Sequence, residues 1–137
     1  MPKGFTLIEL LIVLVIISVG VMTITPIMIE KTTGLPEEID FFNELLRKTA
    51  NESAELGRPI PIRGVRGSNT IYLHDGETIK IPNISTINMA EVNEVQQPSN
   101  EYTIMVYPNG LCDYFLLTAS DRKSIESIPL LLQTRLR

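Results

Sequence analysis

The chain of 137 residues has room for one domain and not for two of ordinary size. Twelve basic against sixteen acidic residues give a net charge of −4, which argues against a general polyanion binder, because nucleic-acid modules carry a basic face. The single cysteine, Cys112, cannot form an internal disulfide, and no repeat or low-complexity tract is present.

Glu9 stands at the head of an apolar run with no further charge until Glu30. The uncharged stretch from Leu10 to Ile29 holds 20 residues, which as a helix at about 1.5 Å per residue span roughly 30 Å, the thickness of a bilayer core. Its β-branched residues (Ile12, Val13, Val15, Ile16, Ile17, Val19, Val21) would suit a strand in water. In lipid only a helix satisfies its own backbone groups, so the run reads as a helix. Three readings compete. A secretory signal could be cut at Ser18-Val19-Gly20, but the apolar run continues past that site and Glu9 offsets the positive end such signals need. A plain single-pass anchor fits the length. Neither accounts for Glu9, since a carboxylate in a bilayer costs about 2.5–3.5 kcal/mol even on lenient insertion scales.

The third reading is a resemblance. Gly4-Phe5-Thr6-Leu7-Ile8-Glu9, behind Met1-Pro2-Lys3 and ahead of the apolar helix, resembles the type IV prepilin signature. The resemblance implies a leader at residues 1–4 and a membrane prepilin peptidase that cuts between Gly4 and Phe5 and methylates the new amine. It implies a transmembrane and filament-core helix at 5–30 and a periplasmic globular domain at 31–137. It also gives Glu9 a partner, the Phe5 ammonium of a neighbouring subunit, and a buried charge costs less when paired. Snorkelling of Glu9 to the headgroups is the competing role. Gly20 and Pro26 bracket a weak part of this spine, because proline removes a helix hydrogen bond.

Lys31-Thr-Thr-Gly-Leu-Pro36 is the first breaker cluster, and it departs from the unbroken spine of many pilin-like chains. Pro36 suits the first position of a new helix, with Glu37, Glu38 and Asp40 favouring its positive end. Phe42, Leu45, Leu46, Thr49, Ala50 and Ser53 form a narrow apolar stripe, Gly57 is a stop, and Pro59 prevents continuation.

The rest reads as strands. Ile60 to Val65 is the first. Asn69–His74 and Glu77–Ile81 flank Asp75-Gly76, which predicts a two-residue hairpin pairing Leu73 with Thr78 and Tyr72 with Ile79. Pro82 to Pro98 reads as an irregular surface loop. Glu101–Tyr107 and Leu111–Thr118 are strands around the turn Pro108-Asn109-Gly110, and Ser124 to Thr134 supplies a last one. The expected fold class is α+β, a helix packed on an antiparallel β-sheet.

Lys48 to Ile62, Tyr102 to Gly110 and Ile125 to Leu136 resemble segments of H-type minor pseudopilins of type II secretion systems. That resemblance implies a non-enzymatic fibre subunit without cofactor that helps initiate the fibre or join its tip to its shaft. Its partners would be other pseudopilins, the prepilin peptidase, membrane lipid and an inner-membrane assembly platform. The alternative is a minor pilin of a DNA-uptake or adhesion pilus, with Arg135 and Arg137 as weak phosphate contacts. His74, beside Asp75 and Glu77, reads as a solvated cross-strand pair and Cys112 as a buried thiol.

Overall fold

The computed structural model describes residues 7–17 and 34–137. The chain divides into two compact units, Met1–Gly34 and Leu35–Arg137. In the first, residues 7–17 form a helix, α1. Its expected continuation through Gly20 and Pro26 lies outside the described residues. Among the described residues no helix is long and apolar enough to cross a membrane.

The second unit opens on Leu35 and Pro36, neither of them helical, and then on helix α2, Glu37–Leu56. Pro36 is not the first helical residue, as its position suggested, but the residue before it, with ψ of 142°. There its missing N–H costs nothing, and its carbonyl accepts from the N–H groups of Ile39 (2.9 Å) and Asp40 (3.1 Å). Glu37, Glu38 and Asp40 fill the first turn as expected. All six stripe residues, Phe42 to Ser53, are buried, and Ile39 and Glu38 extend the stripe by one turn. Gly57, with φ of 64°, ends the helix in the left-handed conformation that glycine adopts without strain.

Nine strands follow in two antiparallel sheets rather than one. The first sheet has the order β3-β2-β1-β6, built from Thr78–Lys80, Thr70–Tyr72, Ile60–Val65 and Glu101–Val106. The second has the order β5-β4-β7-β8-β9, built from Val95–Gln96, Ile87–Val92, Phe115–Ala119, Ser124–Ile128 and Gln133–Leu136. Helix α2 packs on β1 and β6 of the first sheet and on β9 of the second. The shared core includes Phe42, Leu46, Ile62, Ile104, Phe115 and Leu117, so a helix on antiparallel sheets gives the expected α+β class.

Four strand assignments change. In the β2–β3 hairpin Ile71 lies opposite Ile79 and Tyr72 opposite Thr78, one residue away from the expected register. The loop holds three residues: the Gly76 N–H bonds the Leu73 carbonyl (3.1 Å), and the Leu73 N–H bonds the Glu77 carbonyl (2.9 Å). Only Gly76 within it has positive φ (89°), whereas a two-residue turn of the expected kind needs two such residues. The apolar pattern decides the matter, because this register sets two isoleucines on one face.

Residues 82–98 are not a surface loop, since they hold β4 and β5. Ile84, Ile87, Ala90 and Val92 are buried, and Asn93 and Glu94, both with positive φ, make the tight turn between the strands. The stretch from Leu111 does not return as one strand. It bridges Val106 at Cys112 and then crosses to the second sheet as β7. Asp113 fixes the crossing by accepting from the Met105 N–H (2.9 Å), the Tyr107 hydroxyl (3.0 Å) and the Asn93 amide (3.1 Å). Finally, Ser124 to Thr134 is broken by Pro129, where a single 3-10 turn, Pro129–Leu131, folds the chain back as β9.

Candidate assembly site

Within the first unit, α1 is apolar on every side except at Glu9. Leu7 is 85 % exposed, and even the most sheltered of its large apolar residues, Val13, is 48 % exposed. A helix with this composition is at home in lipid or among other apolar helices, not in water. Glu9 lies in its first turns, on the exposed surface of that unit. Gly4, Phe5, Gly20 and Pro26, the other positions singled out on the N-terminal segment, lie outside the described residues.

In the second unit Arg135 is already engaged. Its Nε and Nη2 both lie on Glu126 Oε2, at 2.8 and 2.7 Å, while the Tyr114 hydroxyl donates to Glu126 Oε1 at 2.9 Å. These two bonds, Arg135 first, hold the Glu126 carboxyl below its ordinary range. Arg137 is tied by its backbone N–H to the Ser124 carbonyl (2.9 Å), closing the β8–β9 ladder. Both arginines are thus on β9 or directly after it, but only Arg135 has a dedicated carboxylate.

His74 does not pair across the hairpin. Its Nδ1 lies 3.9 Å from Glu52 Oε2 on α2, so it bridges the hairpin tip to the helix. Cys112 is buried, and desolvation, with the Asp113 charge second, pushes its thiol up to about 11. Such a thiol is a packing group and a poor nucleophile. Among the described residues no three of His, Cys, Asp and Glu are placed to hold a metal ion.

A family model of the prokaryotic N-terminal methylation motif matches residues 2–25. The chain carries a type IV pilin-like prepilin N-terminus. The match spans Gly4, Phe5 and Glu9 together with Gly20, and it implies processing by a prepilin peptidase. No curated protein and no solved structure gives a significant match to the chain. The pilin-like assignment therefore rests on the N-terminal segment, and the helix-on-sheets arrangement of the second unit is compatible with it.

Proposed function

We propose that this protein is a structural, non-enzymatic subunit of a pilin-like fibre, a minor pseudopilin of a type II secretion system. The observation that carries the reading is the methylation motif at residues 2–25, with Glu9 set at the head of an apolar helix. In this reading the peptidase removes residues 1–4, and the mature helix waits in the inner membrane with the second unit in the periplasm. The subunit is then drawn into the fibre, where Glu9 meets the Phe5 ammonium of its neighbour. The ion pair offsets the cost of holding either charge in a low-dielectric surrounding. The resemblance of the Lys48–Ile62, Tyr102–Gly110 and Ile125–Leu136 segments to H-type subunits supports a place that initiates the fibre or joins tip to shaft.

Intact mass and N-terminal sequencing of the mature chain test the first step. The expected product begins at Phe5 with a methylated amine, and a chain beginning at Val21 would establish a secretory signal instead. A deletion strain separates the two systems: lost protein secretion supports the pseudopilin, and lost DNA uptake or adhesion with normal secretion supports the minor pilus subunit. The engaged state of Arg135 gives the DNA-binding reading little support.

A further inference from the structure

Three basic side chains from separate elements of the unit Leu35–Arg137 converge on one depression of about 240 Å³. Arg58 follows the end of α2, Arg63 lies in β1, and His74 follows β2 at the hairpin tip. Pro59, Ile60 and Pro61 complete the lining, so the wall holds basic and apolar groups and no carboxylate. Two other depressions of this unit each carry an acid, Glu101 in one and Glu44 with Glu77 in the other. In a chain of net charge −4 this is a local reversal of sign.

The three residues are set in place by the fold. The Arg58 N–H donates to the Ser53 carbonyl (3.3 Å), and the Arg58 carbonyl accepts from the buried Ser53 hydroxyl (2.6 Å). The Gly57 N–H donates to the same Ser53 carbonyl, so this end of α2 is already capped. Arg63 is opposite Thr103 on β6 and Tyr72 on β2, which holds its backbone from both sides. His74 Nδ1 lies 3.9 Å from Glu52 Oε2, too long for a hydrogen bond, so the ring keeps a donor for a closer acceptor. Among the described residues neither the Arg58 nor the Arg63 side chain has a hydrogen bond or ion pair. Arg135 and Lys123, by contrast, each sit on a carboxylate.

We propose that Arg58, Arg63 and His74 form a binding site for inorganic phosphate or a phosphate monoester. Such a group brings about two negative charges and three acceptor oxygens to the three converging donors. Guanidinium groups meet these oxygens with charge-assisted, bidentate hydrogen bonds. Apolar walls around a cleft of one sign focus its field and strengthen the attraction, the part that Pro59, Ile60 and Pro61 play here. The volume is several times the roughly 30 Å³ share of one water, so the anion enters with part of its hydration. A phosphodiester, with fewer free oxygens and a single charge, fits these donors less well. The site is independent of the fibre reading and of Arg135 and Arg137.

The test titrates the full chain, in a maltoside detergent, with inorganic phosphate and with chloride at equal ionic strength. Calorimetry should show saturable phosphate binding that chloride does not reproduce, and phosphate should raise Tm. Arg58→Gln and Arg63→Gln should each weaken binding about tenfold, the worth of one charge-assisted hydrogen bond. Both residues are exposed, so their variants should melt as the parent does when phosphate is absent. Arg122→Gln, in the β7–β8 turn, should bind as the parent does. The source of the phosphate group is read with the chain in phosphatidylcholine nanodiscs. Competition by added phosphatidic acid identifies a lipid headgroup, and undiminished phosphate binding identifies the free anion; either supports the site. Phosphate binding no stronger than that of chloride overturns the proposal, as does unchanged binding in the Arg58→Gln, Arg63→Gln double variant. An equal loss in Arg122→Gln would mean general charge attraction and overturns it too.

Discussion

The ring of Tyr102 lies against the backbone of Gly64, its cross-strand partner, so closely that a Cβ at residue 64 would overlap Cζ and the hydroxyl oxygen. The pair belongs to the inner face of the first sheet, in line with Ile62–Ile104 and Ile60–Val106. A residue without a side chain makes room for the largest side chain on that face. Burial in turn pushes the Tyr102 phenol well above its ordinary value, so it stays neutral at any working pH.

Gly64→Ala should therefore destabilise the second unit at the upper end of the range for overpacking, about 3 kcal/mol. For a unit of this size that lowers Tm by roughly 12–24 °C. Tyr102→Leu in the same chain should recover part of the loss, since it frees the space that the methyl group needs. Thermal unfolding of the single and double variants measures the coupling, and strict additivity would remove the steric argument.

The clasp at the start of α2 makes stability depend on pH. Glu38 is buried, and Lys123 Nζ reaches its Oε1 at 3.0 Å while also lying 3.4 Å from the Asn83 carbonyl. Burial alone would raise the Glu38 carboxyl. The backbone hydrogen bond and Lys123 outweigh it, so the carboxyl sits below its ordinary 4.5. The hydrogen bond to Glu38 conversely holds Lys123 above 10.5 despite desolvation. A carboxyl lowered by folding contributes stability above 4.5 that is lost as pH falls through its folded value. A lysine raised by folding contributes stability below 10.5 that is lost as pH rises through its folded value. Glu38→Gln should thus melt earlier than the parent at neutral pH, with the gap closing in acid. A gap of equal size at pH 7 and pH 3, on the ~4 unit span that covers the carboxylate range, would show that the charge is not involved.

What the sequence makes legible follows from the period of each pattern. The α2 stripe reads directly because Phe42, Leu45, Leu46, Thr49, Ala50 and Ser53 recur at helical spacing and every one is buried. The β2–β3 register does not, because Asp75-Gly76 suits a two-residue turn as well as the three-residue loop, and only the Ile71–Ile79 match across strands separates them. Strand β4 hides because its register shifts between Ile87 and Met89, which spoils the alternation that marks a half-buried strand. The two-sheet architecture depends on Asp113, whose bonds to residues 8 and 20 positions earlier carry no local signal. At the site, Glu9 is legible as a charge out of place. The Pro129–Leu131 turn reads as strand until Pro129 is given its weight as a breaker.

Removing the chain before Lys31 should leave a soluble, folded fragment. Among the described residues the buried core cluster runs from Ile39 to Ile125, while the exposed apolar surface of α1 lies upstream. Sedimentation should find a monomer at about 10 µM, because the exposed apolar surface of α1 is gone. Insoluble product after refolding would mean that the N-terminal segment contributes to the core.

Glu9→Ala separates a plain anchor from a fibre subunit. Insertion should survive and even improve, because a charge entering the bilayer costs about 2.5–3.5 kcal/mol that alanine avoids. Cleavage should survive as well, since Gly4 and Phe5 are untouched. Assembly should fail, because the neighbour's Phe5 ammonium would be carried into the fibre without its carboxylate. For deeply buried pairs such a loss costs up to ~3–5 kcal/mol. Near the membrane surface, water and headgroups screen part of it, so the lower end, about 3 kcal/mol, is expected. That corresponds to a drop of roughly two orders of magnitude in incorporation, at about 1.4 kcal/mol per factor of ten. Glu9→Gln should fall between the two if hydrogen bonding supplies part of the effect. Crosslinking to partner subunits and a secretion assay give the readout, with membrane fractionation and mature mass as controls. Wild-type crosslinking and secretion in Glu9→Ala would leave this glutamate without a role in assembly and return the helix to the anchor reading.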